Sequence, residues 1–222
     1  LAEKVNARII RNTQSFNYSH TLNLGFAAAR NEWLLSLSAH CLPVHSDLLE
    51  RYREALSQLP ENIGAIYGLQ AFSLKGYNRL AKKIIVRSGI VPAEQWRGGG
   101  NTNALYARAV WRQHPFDETM SRAEDREWCN WALGAGYSCA EVAEACVLYR
   151  HNKGPIYRFK KAYEDVVTCT PDAPPTSVRH FMMGLASATR HLLWEGFHPR
   201  SWIGEMARSL GAFVASRRRK RS

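Results

Sequence analysis

Trp33-Leu-Leu-Ser-Leu-Ser38 is an apolar run of strand length, ended by Ala39-His-Cys-Leu-Pro43, so it reads as a strand with its tip in a loop. Ser46 suits a helix N-cap, and Leu48, Leu49, Tyr52, Leu56 and Leu59 recur at helical spacing until Pro60 stops the pattern. Ile63-Gly-Ala-Ile-Tyr-Gly-Leu69 is the next strand. Strand, helix and strand in succession imply an α/β fold, a sheet flanked by helices. In open sheets of this class ligands bind beyond the carboxyl ends of the strands, which puts the Ser38-Ala39-His40 tip at the expected site.

Upstream, Ala7-Arg-Ile-Ile-Arg11 reads as a short strand and Phe16-Asn-Tyr-Ser-His20 as a loop entering a helix over 22–30. Downstream, residues 80–87 form a basic, partly helical segment, and Gly98-Gly-Gly-Asn-Thr-Asn103 a flexible loop. Residues 104–111 begin as a strand and turn helical. The most acidic stretch is Phe116-Asp-Glu-Thr-Met-Ser-Arg-Ala-Glu-Asp-Arg-Glu-Trp128. Within it Ser121 and Glu124 have capping-box spacing, which predicts a helix from 122 to about 134 with Gly136 as its stop. On that helix Glu124, Trp128 and Trp131 share one face, and Asp125, Cys129 and Ala132 the face beside it. Acids in a first turn complement the helix dipole, a structural role. Two carboxylates thus open the helix beside a tryptophan-rich stripe. Residues 138–149 read as a pair of strands.

Thr170-Pro-Asp-Ala-Pro-Pro-Thr176 holds three prolines that continue neither element type, so the chain divides into a domain over 1–169 and a helical region over 170–222. In the latter, Val178, Phe181, Met182, Leu185, Leu192 and Leu193 fit one helix. Trp202, Ile203, Met206, Leu210, Phe213 and Val214 fit another, ending in Arg217-Arg-Arg-Lys-Arg221. An amphipathic helix with a basic end suits an anionic membrane surface, at about 1 kcal/mol per Lys or Arg near it. Packing on the α/β domain or on a partner is the alternative use of the same face.

With 222 residues and 45% hydrophobic content the chain buries a sizeable core. A net charge of +11 favours an anionic partner, whether nucleic acid, membrane surface or phosphorylated ligand. No nucleic-acid-binding module is recognisable, so no nucleic-acid partner is expected. Five cysteines, an odd number without close pairing or zinc-type spacing, point to reduced thiols and no zinc site. The first residues lack the pattern of a signal peptide, and no run of about 18 apolar residues is present to cross a bilayer.

Three ordered blocks resemble the family-two glycosyltransferases with a GT-A fold, especially the rhamnosyltransferase-like members of bacterial surface-polysaccharide pathways. The first is Phe16-Asn-Tyr-Ser-His-Thr-Leu-Asn-Leu-Gly-Phe-Ala-Ala-Ala-Arg30, similar to the family's Asn-x-Gly helix. The second is Gly99-Gly-Asn-Thr-Asn-Ala-Leu-Tyr-Ala-Arg-Ala-Val-Trp111, an Asn-rich loop before an Arg-x-x-Trp helix. The third is the acidic stretch with Glu124-Asp125, then Gly134-Ala-Gly-Tyr137 and Val147-Leu-Tyr-Arg-His151.

The resemblance implies a Rossmann-like GT-A mixed sheet, N-terminally incomplete, because the family's upstream strand, helix and strand for the nucleoside do not precede Leu1. It implies inverting transfer of a sugar from a nucleotide-diphosphate donor to a glycan or lipid-linked acceptor, at the cytoplasmic face of the cell membrane. Asp125 matches the general base and Glu124 its neighbour; the helix first turn is expected to keep Asp125 ionised. Ser38 and His40 at the strand tip, with Asn101 and Asn103 for sugar hydroxyls, are the expected donor contacts; Trp96, as a stacking surface for a sugar or the nucleobase, and Trp128, at the border of the pocket, are the expected acceptor contacts. The family's Asp-x-Asp reads Ser38-Ala39-His40 here, so His40 and His151 are the candidate ligands of a divalent cation, Mn²⁺ or Mg²⁺. The altered tip keeps a second class open, a catalytically impaired relative that binds nucleotide, glycan or a partner enzyme.

Overall fold

The computed structural model describes residues 7–71, 74, 84–89, 100–120, 122–149 and 199–218, with isolated positions at 156, 159, 160, 162, 163, 182 and 186. These fall in two compact units, Leu1–Arg150 and His151–Ser222. The expected boundary at 170–176 lies outside the described residues.

In the first unit α1 (Tyr18–Ala28) leads to β1 (Trp33–Leu37), β2 (Cys41–Pro43), α2 (Leu48–Leu56), β3 (Ile63–Ala71) and β4 (Ile84–Ser88). Then follow β5 (Asn103–Ala107), the short α3 (Arg108–Trp111), α4 (Glu124–Gly134) and β6 (Ser138–Tyr149). The strands form one mixed sheet in the order β1-β5-β3-β6-β2, with β4 also on β6. β5 is antiparallel to both β1 and β3, while β3 and β6 are parallel. The carboxyl ends of β1, β3 and β6 therefore lie at one end of the sheet, beside the amino end of β5.

Strand alternation builds a core on each face of the sheet. Ala65, Tyr67, Ala104 and Tyr106 pack with Phe26 of α1 and with Trp128, Cys129 and Ala132 of α4. Their neighbours Ile66 and Leu105 pack with Leu48, Tyr52 and Ala55 of α2. The central strands are covered on both faces, which is why β3 and β5 read as continuous apolar runs. The α/β expectation, a mixed sheet flanked by helices, describes this unit.

Several local expectations change. Residues 7–11 form no strand; Arg8 instead reaches the Ala28 carbonyl, and Asn12 donates to Thr21 at 3.2 Å. α1 starts earlier than position 22 because Asn17 caps it, accepting from the His20 N–H at 2.9 Å. The cap position of α2 is Asp47 and not Ser46. Ile84-Ile85-Val86 is strand, as β-branched residues favour, where a partly helical segment was expected. Residues 138–149 make one long strand instead of a pair: no turn breaks the run, and its irregularity is absorbed as a register shift opposite Gly68 and Gln70.

In the second unit α5 (Pro199–Arg218) carries the predicted last helix. Gly211 and Ala215 are buried on it, with the Gly211 Cα against the Phe159 carbonyl, while Ile203 and Leu210 are exposed. The helix expected over 178–193 lies largely outside the described residues. Among the described residues no helix is long and apolar enough to cross a membrane.

Candidate active site at the carboxyl ends of the strands

α4 begins at Glu124, and its N-cap is Ala123 in the left-handed region, φ 62° and ψ 28°, with no side-chain cap. The expected capping box is therefore not what starts this helix: Glu124 is its first residue, and Ser121 lies outside the described residues. A non-glycine residue in that region costs about 1 kcal/mol and persists only where its surroundings impose it. The preceding segment is held by Asn23, whose side chain donates to the Phe116 carbonyl and to Glu118, each at 2.9 Å. Asn23 also accepts from the Phe116 N–H at 3.1 Å and the Trp111 indole at 3.2 Å. Hydrogen bonds from Asn23 and then His20 hold the Glu118 carboxyl below the usual carboxylate range. The entry to α4 is thus pinned to α1 and α3 before the acidic pair is reached.

Asn101 organises that pair. Its side-chain amide donates to Glu124 Oε1 at 3.0 Å and accepts from the Tyr106 hydroxyl at 2.6 Å. Its backbone N–H donates to Asp125, and its carbonyl accepts from Ser36 Oγ at 2.5 Å. Glu124 is only 8% exposed, so its carboxylate is spent on this internal bond, while Asp125 keeps some exposed surface. The Asp125 carboxyl is pushed above the usual carboxylate range, first by burial and second by the Glu124 charge. Backbone N–H donors from Arg126 and Asn101 oppose that rise without cancelling it. The expectation that the helix start would favour ionisation is corrected here: desolvation and a like charge outweigh the dipole. The Tyr106 phenol is itself raised well above its ordinary value by burial, and so serves Asn101 as a donor.

The strand tip lies nearby in the fold. The Ser38 N–H donates to the Thr102 carbonyl at 2.9 Å, joining the tip to the loop that carries Asn101. Ser38 Oγ sits 3.1 Å from His40 Nδ1, and the exposed His40 ring meets Tyr149 edge-on with centroids 4.9 Å apart. Among the described residues no three His, Cys, Asp or Glu side chains converge to hold a metal ion. One imidazole beside one hydroxyl does not make a set for Mn²⁺ or Mg²⁺.

Other expected site residues are placed differently. Asn103 is fully buried: its amide donates to the Ala145 carbonyl at 2.8 Å and accepts from the Tyr52 hydroxyl at 2.9 Å, tying β5 to β6 and α2 beneath the site. Trp128 is also fully buried, its indole donating to the His114 carbonyl at 2.7 Å, so it backs the acidic pair from the core. Trp96 and His151 lie outside the described residues. The sequence reading did not single out Tyr106, Ser36, Gly100 or Gln70: each is an ordinary strand or loop residue, Ser36, Gly100 and Gln70 marked only by their place at this end of the sheet and Tyr106 only by the hydroxyl it extends to Asn101.

No protein-family model matches the chain, and no curated protein matches it. Among solved structures the fold is similar to that of a glycosyltransferase. That structure is "Mannosyltransferase PcManGT from Pyrobaculum calidifontis in complex with GDP-Man and Mn2+", with a TM-score of 0.56 and 17% sequence identity. The match covers 98% of this chain and 58% of that chain, so this chain spans little more than half of the mannosyltransferase's length. At that identity the likeness is one of fold.

Proposed function

We propose that the protein is a GT-A-type inverting glycosyltransferase, transferring a hexosyl or deoxyhexosyl group from a nucleotide-diphosphate donor to a glycan or lipid-linked acceptor in bacterial surface-polysaccharide synthesis. The observation that carries this reading is the Glu124–Asp125 pair, organised by Asn101 at the carboxyl ends of the strands, in a fold similar to a mannosyltransferase. Asp125 takes the proton of the acceptor hydroxyl as that oxygen bonds to the anomeric carbon, while the bond from that carbon to the diphosphate oxygen breaks on the opposite face. A raised carboxyl is a stronger base once ionised, which suits this role. Glu124, bound to Asn101, positions the pair and adds negative charge near a transition state with cationic character at the sugar. Ser38 and His40 are the residues we assign to the donor diphosphate, to which His40 offers a positive or hydrogen-bonding partner; a divalent cation, were His40 and His151 to hold one, would supply positive charge to the departing diphosphate.

We further propose that the enzyme works at the cytoplasmic membrane face, held there by α5 and the basic run 217–221. The exposed Ile203 and Leu210 of α5 support this. A second reading, a catalytically impaired relative that binds nucleotide or glycan, draws on the Ser38-Ala39-His40 tip and on the lack of a cation site among the described residues.

The test is binding and turnover with a panel of nucleotide sugars, with and without Mn²⁺. Transfer that is abolished in Asp125→Asn supports the enzyme, binding without turnover supports the second reading, and no donor binding at all refutes the enzyme. Sedimentation with anionic liposomes, with and without residues 217–221, tests the membrane claim; unchanged binding counts against the tail.

A further inference from the structure

Gln70 stands at the carboxyl end of β3, just past the register shift opposite β6. Three carboxamides gather at this end of the sheet, and two are committed to the fold. Asn101 bridges Tyr106 and Glu124, and Asn103 bridges Tyr52 and Ala145. Among the described residues the Gln70 amide has no hydrogen-bond partner, and the residue is only partly buried. What lies beside it is Gly100. That residue has φ +150°, and a Cβ there would fall 2.6 Å from Gln70 Nε2 and 3.9 Å from Asp125 Oδ2. The space left open by the missing side chain of Gly100 is therefore bordered by the Gln70 amide and the Asp125 carboxyl. A side chain at position 100 would collide with the amide and crowd the carboxyl.

A primary amide offers two donors and one acceptor and carries no charge. That pattern matches the vicinal hydroxyls of a sugar, and it competes with Asp125 for no proton. A second acid at position 70 would have raised Asp125 further, and a base would have paired with it. We propose that Gln70 is a substrate-binding residue: its amide hydrogen-bonds a hydroxyl of the acceptor sugar next to the one that Asp125 deprotonates, and so determines which hydroxyl is presented for transfer. This rests on the glycosyltransferase reading above.

Two substitutions test it. Gln70→Met keeps the side-chain length and removes both hydrogen-bonding functions; the acceptor KM should rise about tenfold, near the upper limit for neutral hydrogen bonds. The donor KM should stay within about twofold, and the product should lose its single linkage position. Gln70→Glu places a charge facing Asp125, so the Asp125 carboxyl should titrate at higher pH in ¹³C NMR of the protein alone, with the acidic limb of kcat/KM moving the same way. If the wild type transfers sugar and Gln70→Met matches it in acceptor KM and linkage, the inference about Gln70 is overturned while the enzyme reading stands. If the Asp125 titration does not move in Gln70→Glu, the facing geometry is wrong, whatever the activity. A wild type that transfers no sugar overturns both.

Discussion

Replacing Asp125 by asparagine should make the protein more stable while it removes the proposed base. The Asp125 carboxyl is held above its ordinary range by burial and by Glu124, so the folded protein binds that proton more tightly than the unfolded chain. The stabilising proton is fully bound below the unfolded carboxylate range, near about 3.9, and its contribution is lost as pH rises through the higher folded value. Asparagine is neutral at every pH and escapes that loss. Each pH unit between folded and unfolded titration is worth about 1.4 kcal/mol. Against this, the Arg126 N–H at 2.8 Å and the Asn101 N–H both bond more strongly to a carboxylate than to an amide. A net gain of about 1 kcal/mol at pH 8 is expected, or a Tm increase of roughly 2–4 °C for a chain of this size. Differential scanning calorimetry of both proteins from pH 3.5 to pH 8.5 measures it, and the gap should widen as pH rises from the unfolded carboxylate range through the higher folded value. An asparagine variant less stable than the wild type at pH 8, or a gap independent of pH, would refute the assignment of Asp125 as a destabilised carboxyl. In the same variant transfer should fall by about 10²–10⁴-fold if Asp125 is the general base.

Three further substitutions probe the frame that holds the pair. Gly68→Ala would drive a Cβ into Asn103 Nδ2, the Ala145 carbonyl and the Tyr52 hydroxyl, breaking the buried bond set between β5, β6 and α2; a loss of about 3 kcal/mol is expected by urea denaturation. Ala123→Gly should relieve the left-handed backbone at φ 62° and raise the urea midpoint by an amount worth roughly 0.5–1 kcal/mol; a lowered midpoint would mean that this conformation is not the one populated. Tyr106→Phe removes the only hydroxyl bonded to Asn101 Oδ1 among the described residues and should cost about 1–3 kcal/mol. It should also lower transfer by loosening Glu124, and unchanged activity with unchanged stability would show that Asn101 is held some other way.

The candidate site was legible in part. The Glu124-Asp125 pair at a helix start stood out because charge and helical spacing are read along the chain, and the resemblance in blocks drew attention to Asn101 and the Ser38–His40 tip. The capping box at Ser121 misled because its spacing suits a helix start, whereas Asn23 and Asn101 hold the chain so that α4 begins later, after a strained Ala123. Asn103 looked like a ligand residue for the same reason that Asn101 did, both being loop asparagines. Only the fold separates them, one buried between Tyr52 and Ala145 and the other at the lip beside Asp125.

Apolar runs of strand length and helical stripes follow from the side-chain geometry of neighbouring residues, so the chain alone specified an α/β layering, the strand-to-helix turn after position 103, and a helix opening on two acids. The order of the strands, the single long β6, the committed amides and the direction of the Asp125 shift were decided by the tertiary structure. Those depend on desolvation and on partners far apart in sequence, such as Asn101 with Glu124 and Asn103 with Ala145, and no local periodicity encodes which distant group a buried polar atom will meet.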